Sequence, residues 1–150
     1  MRDDFKYATG KMYHHMQERF FPPKHKGIKL IYKSKLPFTL EEFRVWVKDE
    51  FERWNLNGLM HCYYCNELIS ILTCSPDHRV PVSRNGSLNL DNLELLCKPC
   101  NIRKGKLTDT EYAELCELVK GWDDTGRRDL TGRLSTAVRM SYARIGKRRA

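Results

Sequence analysis

The sequence contains no long hydrophobic run, and this argues against a membrane span. No stretch of its 150 residues approaches the ~18 consecutive apolar residues that a spanning helix needs. We also expect no secretory signal, because Asp3 and Asp4 stand where a basic segment would precede an apolar one. Internal repeats and low-complexity linkers are lacking as well. With 41% hydrophobic residues, the chain is predicted to form one compact domain with a modest core, located in the cytoplasm.

Cysteines outside paired motifs are few. Four of the six form two Cys-x-x-Cys knuckles, Cys62/Cys65 and Cys97/Cys100. Without a secretory signal, metal ligation is a better interpretation than disulfides, and two such turns can complete a tetrahedral Zn²⁺ site. A Cys₄ site is closed to water, so this zinc would be structural. His61 is an alternative ligand that four thiolates make unnecessary.

The two cysteines outside the knuckles are Cys74 and Cys116. Cys74 follows an apolar run, and Cys116 lies on the apolar face of a predicted helix. Because free cysteine behaves as a small hydrophobic residue, we expect both to be buried.

Acidic residues are missing from one segment and scarce in another. Arg19 to Lys35 contains six Lys and Arg and no Asp or Glu, and residues 126–150 carry 8 basic residues against 1 acidic residue. The last 25 residues therefore hold +7 of the net charge of +8. Such clustering favours a polyanionic partner.

Hydrophobic periodicity and capping motifs predict helices on both sides of a short hairpin. Two helices are predicted near the N-terminus, at 3–21 and, after the Thr39-x-x-Glu42 capping box, at 40–54. A short helix carries Asn101 and Lys104. Two more follow, one from the Thr108-x-x-Glu111 capping box to Gly121 and one at 127–145. The predicted strands include 30–32 and 93–96, with Arg84–Ser87 as a hairpin turn. The apolar run 68–72 should lead into a further strand that contains Cys74. We divide the chain into an N-terminal helical and basic extension (1–58), a central core (59–107), and C-terminal helices with a basic tail (108–150).

Two of these helices have a clear apolar side. The stripe predicted for the second helix is Leu40, Phe43, Val47, Phe51 and Trp54. The apolar side predicted for the last helix is Leu130, Leu134, Ala137, Val138, Ser141 and Ile145.

The segment between the knuckles contains a pair suited to hydrolysis, Asp77-His78. Asp77 offers a hard oxygen ligand, and His78 can accept a proton near neutral pH. Asn101, directly after the second knuckle, offers another oxygen, so Asp77 and Asn101 could hold Mg²⁺. Neighbouring strand residues point to opposite faces, so we expect a bend or bulge to re-aim Asp77 or His78.

The run Asp77-His-x-x-Pro-x-Ser, Asn85-Gly, Asn92-Leu-x-Leu-Leu-Cys-x-x-Cys-Asn-x-x-Lys-Gly105 closely resembles the HNH endonucleases of the His-Me finger (ββα-metal) group. The resemblance covers about residues 60–106. It implies an α+β fold with a ββα-metal nuclease core, His78 as general base and Asp77 as metal ligand. Asn92 matches the asparagine that orients the histidine and braces the loop, with Asn89 as a rival.

Two positions depart from the commonest form of this family. Asn101 stands where the family name implies histidine; asparagine occurs there in a phage junction-resolving branch, so an oxygen ligand replaces nitrogen. Arg84-Asn85-Gly86 replaces the commoner Gly-Gly.

The resemblance predicts a DNA-cleaving hydrolase with His78, Asn92, Asp77 and Asn101 as its catalytic residues. Its expected cofactors are structural Zn²⁺ and catalytic Mg²⁺, with Mn²⁺ or Ni²⁺ able to substitute. The expected partner is DNA, bound by a monomer or homodimer. We expect the protein to be nucleoid-associated and to come from a phage or mobile-element gene. The predicted DNA contacts around the site are Lys104, Lys106, Arg79 and Arg103. Those on the last helix are Arg128, Arg133, Arg139 and Arg144. The pairs Arg128/Arg139 and Arg133/Arg144 are each about three turns apart, so each pair would lie on one side of the helix.

Two other functions are alternatives to a nuclease. A non-catalytic zinc-ribbon DNA-binding module would need neither the Asp-His pair nor Asn92 and Asn101. A zinc deaminase would require a His-x-Glu motif and an open zinc site, and neither is visible in the sequence.

Overall fold

The computed structural model describes residues 3–26, 29–31, 35–123, 125–126, 128–130, 132–134, 136–138 and 140. In chain order its elements are α1 (Asp4–Phe20), β1 (Lys24–Lys26), β2 (Lys29–Ile31), α2 (Leu40–Glu52), β3 (Leu59–His61), β4 (Leu68–Ser70), β5 (Cys74–His78), β6 (Leu93–Cys97), α3 (Lys98–Lys104) and α4 (Asp109–Leu118). Among the described helices, none is both long and apolar enough to cross a membrane.

The strands form three separate two-stranded antiparallel ribbons, β1–β2, β3–β4 and β5–β6. In the β5–β6 ribbon, Cys74 lies opposite Cys97 and His78 opposite Leu93. The short helix α3 follows β6 directly and packs on both strands of this ribbon. This mixture of helices and small antiparallel sheets is an α+β fold, and β5, β6 and α3 form the predicted ββα unit.

Local sequence signals explain where the helices begin. The Asp3 side chain caps α1 by accepting from the Lys6 N–H at 3.2 Å. Thr39 and Glu42 form a complete capping box at α2, and Thr108 and Glu111 form another at α4. These side chains satisfy backbone groups that the first helical turn leaves without partners.

The predicted apolar stripe of α2 is correct at its centre and wrong at its end. Phe43, Val47 and Phe51 are buried, and Leu40 is partly buried. Trp54 is 41% exposed, because α2 ends at Glu52 and the following turn rotates Trp54 out of the stripe. Its ring instead makes an edge contact with His61, with centroids 5.1 Å apart.

One hydrophobic cluster draws on the N-terminal, central and C-terminal segments. Every residue of β6 is buried, and its apolar residues belong to the same cluster as residues of α2 and α4. The buried members of the cluster are Met16, Leu36, Phe38, Phe43, Val47, Phe51, Met60, Cys62, Ile69, Cys74, Leu93, Leu95, Leu96, Cys97, Cys100, Leu107, Tyr112, Leu115 and Val119. Cys74 is buried as predicted, whereas Cys116 is only partly buried.

The connection from β5 to β6 is a long loop rather than the tight hairpin turn predicted at Arg84–Ser87. It runs from Arg79 to Asn92 and contains two short 3₁₀ turns, Val82–Arg84 and Leu90–Asn92. Asn85 takes the left-handed conformation, with φ 66°, which Asn tolerates better than most residues. Arg84 ties the loop to α4, because its Nη2 donates to Glu111 Oε1 at 2.9 Å.

After α4, the described residues from 125 to 140 are helical, in agreement with the predicted last helix. Leu130 and Val138 pack against the core as predicted. Leu134 is 40% exposed and Ala137 is also exposed, so the predicted apolar side is wider than the buried one. Ser141 and Ile145 lie outside the described residues, and so does Tyr32 of the predicted strand 30–32.

Gly86 tests how tightly the β5–β6 loop is packed. A Cβ at this position would lie 1.8 Å from the Val80 carbonyl oxygen, so Gly86→Ala must displace backbone. We expect it to lower the free energy of unfolding by more than about 1 kcal/mol. Gly10→Ala is the matched control: Gly10 lies in α1 with nothing within 4 Å of the added Cβ, so alanine should stabilise the helix. Equal denaturation midpoints for the two variants would contradict the packing.

Candidate active site

The four knuckle cysteines converge into one cluster. The sulfur atoms of Cys62, Cys65, Cys97 and Cys100 all lie within 4.8 Å of one another, and Cys65 Sγ is 3.6 Å from Cys97 Sγ. A tetrahedral Zn²⁺ with Zn–S bonds of about 2.3 Å requires sulfurs roughly 3.8 Å apart. The cluster therefore fits a structural metal such as zinc. His61 faces elsewhere, since its Nδ1 lies 2.8 Å from the Asn66 carbonyl oxygen.

Backbone N–H groups donate hydrogen bonds to sulfur atoms of the cysteine cluster. The Cys97 N–H donates to Cys62 Sγ at 3.5 Å, and the Cys100 N–H donates to Cys97 Sγ at 3.4 Å. Hydrogen bonding, first of all from the Cys100 side chain, lowers the pKa of Cys62 to about 4, whereas burial raises the pKa of Cys97 to about 12 and the hydrogen bond with Cys62 raises the pKa of Cys100. The cluster therefore favours a thiolate, the form that binds metal, at Cys62.

Cys97 joins the cysteine cluster to α3. It is the last residue of β6 and the N-cap of α3. Pro99, in the first turn of α3, suits a position where a backbone N–H has no helical partner. The cluster thereby sets the start of the helix that carries Asn101 and Lys104.

Lys104 lies in the interior, between two carboxylates. Its side chain is 0% exposed, and Nζ donates to Asp77 Oδ2 at 2.7 Å and to the His78 carbonyl oxygen at 2.7 Å. Nζ is also 3.7 Å from Glu94 Oε1, which accepts a 2.9 Å hydrogen bond from Tyr64. The prediction that Lys104 contacts a DNA phosphate is therefore wrong, because its ammonium group is sequestered by Asp77 and Glu94.

His78 is nearly buried at the end of β5. It is 8% exposed, and its ring meets the edge of Phe20 from α1 with centroids 5.2 Å apart. Burial lowers the pKa of His78, Asp77 opposes this change, and Arg19 adds to it. A neutral imidazole can accept a proton, so His78 has the chemical form that a base requires.

Asp77 and His78 point in different directions. The β5–β6 register is continuous from Cys74 to His78, so the expected bulge is not formed. Asp77 binds Lys104, on the face covered by α3, whereas His78 packs against Phe20 of α1.

Asn101 projects from α3 toward β5. Its Nδ2 donates to Ser75 Oγ at 2.9 Å and to the Pro76 carbonyl oxygen at 3.3 Å. Ser75 and Asp77 are two residues apart in one strand, so Asn101 and Asp77 share the face that α3 covers. With its nitrogen engaged in these bonds, the Asn101 side chain keeps its oxygen for other ligands.

Asn92 braces the backbone just beyond His78. Its Oδ1 accepts from the Val80 N–H at 3.0 Å, and its Nδ2 donates to the Val80 carbonyl oxygen at 2.9 Å and to that of Ser87 at 2.7 Å. The Asn92 carbonyl oxygen also accepts from the Arg79 N–H at 2.7 Å. Asn89, the rival position, makes a local backbone contact with Ser87 at 2.9 Å.

A cleft of about 510 Å³ connects His78 and Asn101. The helix α1 forms one wall, and β5 with α3 forms the other. Asp77 lies outside this lining, on the side of Lys104. The structure therefore brings two of the four predicted catalytic residues to one cleft, while Asn92 supports the adjoining loop.

The other predicted DNA contacts have varied surroundings. Arg79 is 44% exposed and lies 3.9 Å from Asp109, and Lys106 and Arg103 are partly buried. Arg128 is exposed, and Arg133 is exposed but paired with Asp129 at 2.9 Å. Arg139 and Arg144 lie outside the described residues.

Sequence reasoning missed Glu94 and the cleft wall. Glu94 is a buried acid directly opposite Asp77 in the ribbon, and its burial raises its pKa. An acid within an apolar strand was the available signal, because such a residue usually has a buried partner. No local pattern could show that α1 reaches His78, since that contact joins residues far apart in the chain.

The cysteine cluster predicts a metal-dependent fold. We expect the purified protein to contain one Zn²⁺ per chain by elemental analysis, and Cys100→Ser to lose the metal and much of its helical circular dichroism. The reason is that metal binding supplies folding free energy, on the order of 10 kcal/mol in small zinc domains. Cys74→Ser is the control, because Cys74 is buried outside the cluster and should leave the zinc content unchanged. A metal-free wild type that is fully folded would contradict this role.

The burial of Lys104 predicts a large stability effect. Lys104→Met would leave Asp77 and Glu94 without their shared cation, so we expect a loss of about 3–5 kcal/mol in unfolding free energy. In the Lys104→Met variant, adding Glu94→Gln should recover part of the lost unfolding free energy, because it removes one of the two carboxylates left without a cation. Lys98→Met, at an exposed position in the same helix, should be nearly neutral. Similar unfolding curves for the two methionine variants would refute the buried network.

Comparison with known proteins agrees with this arrangement. The family model described as HNH endonuclease matches residues 62–107, which run from the first knuckle cysteine through α3. A search of curated proteins found no match. The matched segment contains the cysteine cluster, β5, β6 and every residue of the Asp77, His78, Asn92 and Asn101 set. Residues 62–107 of this chain therefore match the HNH endonuclease family, and the matched segment holds a four-cysteine cluster suited to a structural metal.

Proposed function

We propose that this protein is a metal-dependent endonuclease that hydrolyses phosphodiester bonds in DNA. The observation that carries the proposal is the cleft in which His78 and Asn101 meet, within the segment that matches the HNH family. His78 would act as the general base, and Asp77 and Asn101 would hold one Mg²⁺.

His78 suits the role of base by position. It is the last residue of β5, and it lines the cleft while most of its surface is shielded by Phe20 and neighbouring residues. A water in the cleft could lose a proton to the imidazole as its oxygen attacks phosphorus. The proton then rests on the ring, and the Asp77 charge nearby favours the protonated form.

The donor set suits a hard divalent cation. Asp77 contributes a carboxylate and Asn101 an amide oxygen, both on the face covered by α3. Oxygen donors of this kind are those that Mg²⁺ prefers. When bound there, the cation would neutralise charge that develops on the phosphate and the leaving 3′ oxygen.

Lys104 and Asn92 support this chemistry without touching the substrate. Lys104 holds one oxygen of Asp77 and the carbonyl of His78, so a single side chain positions the backbone and side chain of the Asp-His pair. Asn92 holds both backbone groups of Val80, two residues beyond the base. Together they restrain the chain on both sides of His78.

A plasmid assay tests the activity. Supercoiled plasmid is incubated with the wild type, with and without Mg²⁺, and with His78→Ala and His14→Ala. We expect Mg²⁺-dependent nicking that falls by roughly 10²–10⁴-fold in His78→Ala, which is the usual effect of removing a general base. His14 is an exposed histidine of α1 and serves as the matched control, which should cut like the wild type.

The plasmid assay is informative only if the His78→Ala variant has the same zinc content and the same circular dichroism spectrum as the wild type. If the folded variant cuts like the wild type, His78 is not the base. If the wild type binds DNA but cuts none with Mg²⁺, Mn²⁺ or Ni²⁺, the domain is a binding module instead.

A further inference from the structure

The cleft beside His78 is strongly biased in charge. The α1 wall contributes Lys11, His15 and Arg19, and α3 contributes Lys98 from the opposite side. No Asp or Glu is among the described residues that line it. A cleft lined by cations and no acids is complementary to a phosphate backbone.

The same cleft also presents apolar side chains to solvent. Tyr7 is 46% exposed, Leu72 is 53% exposed, and Ile102, next to Asn101, is 78% exposed. All three line the cleft, although large apolar residues are normally buried. An aromatic side chain beside a positively charged groove is the combination that binds unstacked bases and the strand that carries them, and Tyr7 supplies that side chain here, with Leu72 and Ile102 as further apolar surface.

The size and depth of the cleft restrict what can reach the base. Its volume of about 510 Å³ lies within the roughly 300–1,000 Å³ of a site for one small ligand. The 8% exposure of His78 means that a scissile phosphate must enter the cleft to approach it. One nucleotide with its flanking phosphates matches such a space, whereas an undistorted duplex would keep its phosphates outside the α1 wall.

We propose that α1 is the second wall of a single-strand site, so that the enzyme acts on DNA whose scissile nucleotide is unpaired. Lys11 and Lys98 contact phosphates on the two sides of the strand, and Ile102 packs against an unstacked base. This inference rests on the proposed nuclease function for its cleavage step, and its binding step stands independently.

The first experiment compares DNA structures of one sequence. Fluorescein-labelled single strand, fully paired duplex, and duplex with a central unpaired loop are bound by the folded His78→Ala protein without Mg²⁺. The same three substrates are then cut by the wild type with Mg²⁺. We expect single-strand and looped DNA to bind at least about tenfold more tightly than duplex, and cutting to concentrate at the unpaired nucleotides.

The second experiment tests the walls of the cleft. In the His78→Ala background, Lys11→Gln with Lys98→Gln is compared with Lys48→Gln and Lys120→Gln, which remove two exposed lysines of α2 and the segment after α4. Each phosphate contact contributes about 0.7 to the salt dependence of single-strand binding. The cleft variant should therefore lower that slope by about 1.4 and weaken binding on the order of tenfold at ~0.1 M salt. The control should change neither.

A third experiment tests the proposed contact between Ile102 and an unstacked base. Ile102→Ala should weaken single-strand binding several-fold without changing the salt slope. Leu118→Ala is the control, because Leu118 is 75% exposed and lies outside the cleft.

The results separate the two proposals. If duplex is bound and cut as well as unpaired DNA, the nuclease assignment stands and the single-strand site is wrong. The site is also wrong if the cleft variant binds like its control. If no DNA is cut but unpaired DNA is bound through Lys11 and Lys98, the site stands and the nuclease assignment falls.

Discussion

The position of Cys97 is the constraint on which the functional part of this structure depends. This residue ends β6, caps α3 and belongs to the sulfur cluster that joins both knuckles. A tetrahedral metal bound by the four cysteines would tolerate little variation in the placement of its ligands, so it would restrain the angle at which α3 leaves the ribbon. Asn101 and Lys104 follow within the next two turns of α3, and both reach β5. Cys97 therefore belongs both to the cluster suited to a structural metal and to the start of the helix that carries Asn101 and Lys104.

Lys104 shows how a buried charge can organise a site. A lysine with no exposed surface is costly unless its charge is paired, and here Asp77 and Glu94 supply the pairing. The same ammonium group also binds the carbonyl of His78. Because Tyr64 donates a hydrogen bond to Glu94 from the other side, the network reaches from the first knuckle to β5. Its geometry limits how Asp77 can turn toward a cation.

Much of the local structure could be predicted from particular residues. The capping boxes at Thr39 and Thr108 form as expected, and the four knuckle cysteines converge. Predictions were wrong where a side chain's surroundings depend on distant parts of the chain. Lys104 looks like a surface residue in its basic sequence but is buried, and Trp54 continues an apolar stripe but lies beyond the end of α2. Periodicity describes one element, whereas burial depends on what packs against it.

The sequence by itself determined the donor types of this protein: four thiolates at knuckle spacing, an Asp-His pair and the asparagines of the HNH pattern. Those properties are local, since they depend on residue chemistry and on short separations along the chain. Only the tertiary structure decided that α1 closes over His78, that Asp77 and His78 face different neighbours, and that Glu94 joins Lys104. The contacts of His78 with Phe20 and of Asp77 with Lys104 join residues far apart in sequence, and Glu94 reaches Lys104 because α3 packs on β6. Burial of apolar surface brings these elements together.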